Sequence, residues 1–141
     1  MTQHGILKVA LASPKVYVGN PLQNVKPILD ILENQKAGLV LFPELSITGY
    51  SSADLFFQAD YIQKSLDALE KVMTKTAYEG VYVLGMPLKV MDTLYNVAVV
   101  IQQQKILGVI PKYHLPNSKE FMEKRWFQSG VHYQLDTVEI L

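Results

Sequence analysis

The 141-residue sequence contains no cysteine. Disulfides, zinc–thiolate sites and a cysteine nucleophile within this stretch are therefore excluded. It also has no excess of charge of either sign, because 13 Lys plus Arg stand against 13 Asp plus Glu. That balance gives no electrostatic footing for a nucleic acid or an acidic membrane surface. Aromatic residues are present at 10%, but no basic stripe accompanies them. No apolar run approaches the length of a membrane span. Met1 to Gly5 has neither the basic start nor the apolar core of a signal peptide. A cytoplasmic protein with no nucleic acid and no membrane among its partners is the expectation. His4, His114 and His132 show no ligand spacing, so no metal site is expected. Neither Gly-x-x-x-x-Gly-Lys-Ser/Thr nor Gly-x-Gly-x-x-Gly occurs, so nothing argues for a nucleotide cofactor in this chain.

What is present is a globular composition, 49% apolar and 18% charged, in a chain long enough for one domain with a real core. Ile6–Leu11 reads as a first strand. A helix follows with Val25, Ile28, Leu29 and Leu32 on one face. Pro27 is acceptable only in a first turn, which favours Asn24 over Asn20 as the N-cap. Leu39–Phe42 is a short apolar run, typical of a strand buried on both faces. Pro43 stops it, and Glu44 follows. A longer helix carries Ala59, Ile62, Leu66, Leu69, Val72 and Met73 as a core stripe, with Ser51–Asp54 offering caps and Gly80 as its stop. Val81–Leu84 is a third strand, ended by Gly85. Leu94–Ile101 and Ile106–Ile110 form a hairpin about Gln102–Lys105. Ser118–Phe127 is a short helix or an irregular loop, and Thr137–Leu141 approaches another strand. Strand–helix alternation followed by a hairpin implies a mixed sheet covered by helices.

Two places carry chemistry. Glu44 stands where an apolar strand ends, and ligands in open α/β sheets collect beyond the carboxyl ends of strands. Lys112, in Pro111-Lys-Tyr-His-Leu-Pro-Asn117, follows the fifth strand in the same way. Either could be an ordinary solvated residue at a strand exit. Beyond Lys112, Glu120-Phe-Met-Glu-Lys-Arg-Trp-Phe127 is either a solvated helix laced by ion pairs or an ordered lid. Trp126 reads as packing.

The string Phe42-Pro-Glu-Leu-Ser-Ile-Thr-Gly-Tyr50 resembles the catalytic-glutamate motif of the nitrilase (carbon–nitrogen hydrolase) superfamily, and Lys112 matches the lysine of its Glu-Lys-Cys triad. Asp54-Leu-Phe-Phe-Gln58, Gly85-Met-Pro-Leu88, Leu94-Tyr-Asn-Val-Ala-Val-Val100 and Pro111–Pro116 resemble the N-terminal glutaminase domain of the glutamine-dependent NAD synthetases. The resemblance implies an α/β (α+β) fold: one layer of the nitrilase αββα sandwich, a mixed sheet with helices on one side. It implies that Glu44 is the general base and that Lys112 stabilises the oxyanion. Tyr50 and Phe121 would line a glutamine pocket. Glu123 would match an additional acidic residue that holds the substrate amino group or orients the lysine.

The sequence departs from the family in lacking the cysteine, which lies well beyond Lys112 in the pattern. Residues 1–141 are therefore expected to be the N-terminal part of the domain, inactive alone. The nucleophile, and a synthetase domain with its ATP and Mg, would lie outside the chain. Another small-amide hydrolase, or a non-catalytic assembly module of the same fold, remain open alternatives. Part of a sheet leaves unpaired edges and an uncovered apolar face, so self-association into a homo-oligomer is expected.

Overall fold

The structure is a computed structural model, and it describes residues 5–132. Five strands form one sheet in chain order: β1 Val9–Leu11, β2 Leu39–Leu41, β3 Val81–Val90, β4 Thr93–Gln102 and β5 Lys105–Pro111. β1, β2 and β3 pair in parallel, and β3, β4 and β5 pair antiparallel. Helices α1 (Pro21–Glu33) and α2 (Ala59–Lys75) make the two crossovers between the parallel strands. Both pack on one face of the sheet. There Val25, Ile28 and Leu32 of α1 and Leu69 and Val72 of α2 meet Val40, Tyr82, Leu84, Met86, Val97, Val99 and Ile101 in a continuous core. The mixed sheet with helices on one side is thus present as expected.

The opposite face is open. Val9, Leu11, Leu41 and Ile110 are exposed there, and Val83, Ala98 and Val100 are only partly covered. The expectation that β2 is buried on both faces is corrected by this. Val40 faces the helices and is fully buried, whereas Leu41 faces the open side. An apolar run signals two buried faces only when both faces have a cover within the same stretch of chain.

The N-cap of α1 is Asn20, not Asn24. Asn20 Oδ1 accepts from the Gln23 amide, and Pro21 follows with its φ already set for a helix. Pro27 sits inside the helix and costs it one backbone hydrogen bond. Asn24 is buried and has another task. Its carboxamide bonds the Tyr17 amide and carbonyl and the Ile47 carbonyl, tying α1 to the loop after β2.

Residues 51–54 do not cap α2. Tyr50–Phe57 is a pair of 3₁₀ turns joined at Ala53 (φ 49°, ψ −133°), and α2 begins at Ala59 without a side-chain cap. It ends at Lys75, ahead of Gly80.

Gly85 does not end β3, which runs on to Val90. β2 stops opposite Val83, so from Gly85 onward the loop after β2 takes over that edge of β3. Ser46 Oγ accepts from the Gly85 amide, and the Ile47 amide donates to the Gly85 carbonyl. Pro87 is tolerated beyond this point because no strand among the described residues pairs with that side.

The β4–β5 hairpin is present, turning through Gln103 (φ 47°) and Gln104 (φ 63°). A second hairpin joins β3 to β4 at Met91–Asp92. Segment 118–127 is irregular apart from one 3₁₀ turn, Glu123–Arg125. Thr137–Leu141 lies outside the described residues.

Candidate active site

Because β2 and β5 run in the same direction, the residues that follow them emerge at one end of the sheet. The chain leaves β2 through Pro43 and Glu44 into a tight turn closed by Ser46 N→Pro43 O and Gly49 N→Leu45 O hydrogen bonds. Leu45 adopts a positive φ of 50° while its side chain is buried, a strained conformation held by its surroundings. The turn lies directly on β3. A Cβ added at Gly85 would stand 2.4 Å from the Leu45 amide nitrogen and 2.7 Å from the Pro43 carbonyl oxygen. Only glycine permits this approach.

Lys112 leaves β5 with its amide bonded to the Asn96 carbonyl (2.8 Å) and its carbonyl bonded to the Gly130 amide (2.9 Å). Its ammonium reaches Glu44 Oε1 at 2.8 Å and Glu123 Oε1 at 2.9 Å. The structure therefore brings together Glu44 and Lys112, 68 residues apart, and adds Glu123 from the segment after β5. Tyr50 joins them, its hydroxyl donating to Glu123 Oε1 at 2.6 Å. Phe121 packs edge-on against the Tyr50 ring, centroids 6.3 Å apart. All five expected residues thus fall in one cluster.

The two carboxylates differ in setting. The Glu44 side chain is 41% exposed, and that of Glu123 is 2% exposed. Glu123 Oε2 is buried, with no hydrogen-bond partner among the described residues. Burial alone would lower the Lys112 pKa, but the hydrogen bonds and charges of Glu44 and Glu123 outweigh it and hold the ammonium above its ordinary value. The Tyr50 phenol is held well above its usual range, first by lost solvation and then by donation to Glu123. Lys112 stays a cation and Tyr50 a neutral donor throughout the physiological range. Among the described residues two of the three ammonium hydrogens are engaged, which leaves one for a further acceptor. Among the described residues Glu44 Oε2 accepts no hydrogen bond.

A groove of about 340 Å³ runs from this cluster onto the open face of the sheet, with Glu44, Asn96, Lys112, Leu41, Val83 and Ile110 along it. Glu44 and Lys112 therefore stand at the rim of the uncovered apolar face. Among the described residues no group of three or more His, Cys, Asp or Glu is placed to hold a metal ion.

Asn96 is a site residue to which sequence reasoning gave no role. It is buried on β4, and its side-chain amide donates to Glu44 Oε1 while its carbonyl holds Lys112. One strand residue thus sets both partners. The available signal was a carboxamide inside the β-branched run Leu94–Val100, where a buried polar group requires a partner.

Residues 8–140 match the carbon-nitrogen hydrolase family. The chain belongs to that family. Within this family, the chain is 37% identical to the glutamine-dependent NAD(+) synthetase of Mycobacterium tuberculosis over 91% of its own length and 19% of that protein's. It is 32% identical to the synthetase of Aquifex aeolicus over 89% of its length and 22% of that protein's. The chain thus spans about a fifth of the curated relatives it matches. The solved glutamine-dependent NAD(+) synthetase of Cytophaga hutchinsonii superposes with a TM-score of 0.81 at 25% identity, covering 87% of this chain and 22% of that one. An amidase of the nitrilase superfamily from Nesterenkonia superposes at 0.73 and 21% identity, covering 88% of this chain and 48% of that one. The carbon-nitrogen hydrolase fold is common to both.

Proposed function

We propose that residues 1–141 are the N-terminal part of the glutamine amidohydrolase domain of a glutamine-dependent NAD synthetase. In this reading the whole protein hydrolyses glutamine and delivers ammonia to the ATP-dependent amidation of deamido-NAD. The observation that carries it is the Glu44–Lys112–Glu123 cluster, on a chain 37% identical to such a synthetase over 91% of its length.

The nucleophile comes from outside this chain, which has no cysteine. A related Nesterenkonia amidase carries an active-site cysteine. With a thiol placed beside Glu44, the free Oε2 takes the thiol proton as sulfur attacks the amide carbon. The remaining Lys112 hydrogen meets the oxyanion of the tetrahedral intermediate. Collapse expels ammonia, which takes the proton back from Glu44. A water deprotonated by Glu44 then cleaves the thioester and releases glutamate. Glu123 and Tyr50 hold Lys112 in place, and Tyr50 and Phe121 form one wall of the glutamine pocket. ATP and its magnesium belong to the separate synthetase domain. In this reading the protein works in the cytoplasm; no helix among the described residues is long and apolar enough to cross a membrane. The open apolar face supports a homo-oligomer.

The test is the intact mass of the natural gene product, with glutamine hydrolysis and deamido-NAD amidation assayed on that sample. A mass well above 15.9 kDa with both activities is expected. Hydrolysis of a small linear amide without amidation would favour a stand-alone amidase, in line with the Nesterenkonia neighbour. A 15.9 kDa product with neither activity would overturn the reading.

A further inference from the structure

Asp54 lies away from the reacting groups, on the outer side of the 3₁₀ element that also carries Tyr50. Its carboxylate accepts from Arg125 Nε at 2.8 Å, from Arg125 Nη2 at 2.9 Å and from Trp126 Nε1 at 2.9 Å. The Arg125 guanidinium lies 5.6 Å from the Phe57 ring centroid, and Trp126 and Phe127 pack on Phe56 at 5.9 and 4.9 Å. The element Tyr50–Phe57 is therefore joined to the turn Glu123–Arg125 twice: inside the site by Tyr50–Glu123, and outside it by Asp54–Arg125/Trp126.

An exposed ion pair ordinarily contributes little. This one is a two-pronged Arg–carboxylate pair with a third donor, which adds geometric restraint to charge. Segment 118–127 has almost no regular structure to restrain it. Its described backbone ties to other parts of the chain are Glu123 N→Pro116 O and, just beyond it, Gln128 N→Leu94 O. Glu123 nevertheless presents one oxygen to Lys112 and Tyr50 together, from a fully buried position. Two and three residues further on, Arg125 and Trp126 both donate to the Asp54 carboxylate.

We propose that Asp54 is a positioning residue: through Arg125 and Trp126 it clamps the Glu123 turn, and through Glu123 it fixes the Lys112 ammonium at the site. The inference rests on the reading of Glu123 and Lys112 as site groups, but its test does not depend on the substrate. Without the clamp the turn loosens, Glu123 leaves Lys112 for part of the time, and the ammonium becomes both more accessible and less strongly held as a cation.

The experiment labels the complete gene product with an amine-directed acylating reagent at mildly alkaline pH and quantifies each lysine by mass spectrometry. Asp54→Ala is expected to raise Lys112 labelling about 3- to 10-fold, the equivalent of half to one pKa unit. Lys64 and Lys89, in their own exposed ion pairs, serve as unchanged controls. Asp54→Asn, which keeps an acceptor for Trp126, should fall between wild type and alanine. Unchanged Lys112 labelling in a folded Asp54→Ala chain would overturn the proposal. If Asp54→Ala raises every lysine and loses its circular dichroism, Trp126→Phe decides. It keeps the ring on Phe56 and removes one donor, so a selective rise at Lys112 supports the clamp and no rise overturns it. Failure to hydrolyse glutamine in the complete gene product would remove the substrate assignment and leave the labelling result standing.

Discussion

Glu44 and Glu123 share one lysine, yet they live in different solvents. Glu44 reaches Lys112 from a strand exit, half in water, with Asn96 fixing its first oxygen and no described residue bonding its second. Glu123 reaches it from the irregular segment, buried, with its second oxygen sealed from solvent and unpartnered among the described residues. Under the proposed roles the difference separates two duties. A group that must exchange protons needs an open oxygen, whereas a group that holds a cation in place gains from exclusion of water, because the attraction between charges strengthens as the local dielectric falls. The cost is that Glu123 depends on its partners far more than Glu44 does.

That asymmetry can be broken most forcefully from the lysine. Lys112→Met leaves the buried Glu123 carboxylate with Tyr50 as its one remaining partner among the described residues, and stripping one member from a buried ion pair costs about 3–5 kcal/mol. Urea denaturation should show a loss of this size, and a loss under about 1 kcal/mol would mean that Glu123 is better solvated than its burial indicates.

A gentler comparison replaces each acid by its isosteric amide. Glu123→Gln should cost about 1–3 kcal/mol, since a buried charge-assisted bond is lost. Glu44→Gln should stay within about 1 kcal/mol, as expected for a half-exposed pair. If the complete protein hydrolyses glutamine with Glu44 as base, as proposed, the order of severity reverses in that assay, with Glu44→Gln losing about 10²–10⁴ in kcat. Equal stability losses for the two amides would erase the distinction drawn between them.

The smallest effect is expected at acid pH, on the clamp behind Glu123. Hydrogen bonds from Arg125 and then Trp126 depress the Asp54 carboxyl from 3.8 to about 2. A depressed folded value means that the stabilisation is complete above 3.8 and is lost as pH falls toward 2. Trp126 is the only tryptophan, so its emission reports the release directly. The wild type should show a fluorescence step in that window that Asp54→Asn lacks, and a matching step in the variant would assign it elsewhere.

Much of this site was legible in the sequence because its principal charges stand at the ends of apolar runs. Glu44 behind Leu39–Phe42 and Lys112 behind Ile106–Ile110 are marked by abrupt changes of polarity, and strand order then brings the two exits together. The helix stripes were legible for a similar reason, since their spacing of three and four has one reading. What could not be read depended on contacts between segments distant in sequence. Asn24 and Asn96 look like any other asparagine, yet one ties α1 to the loop at Ile47 and the other holds Glu44. Gly85 looked like a strand terminator, because nothing local announces that another loop crosses the strand there. Pro27 misled the cap assignment, since a helix packed along a core face can carry a proline that an isolated helix would not.

Gly85 has a meaning beyond its strand. It is the place where the sheet touches the turn bearing Glu44, backbone against backbone, with no side chain between them as a cushion. A substitution there would not merely loosen packing; it would wedge Glu44 away from Lys112 from beneath, forty-one positions along the chain. A library randomised at this codon and selected for function should return one amino acid, and the tolerance of position 85 becomes a genetic ruler for how closely Glu44 must sit to the sheet.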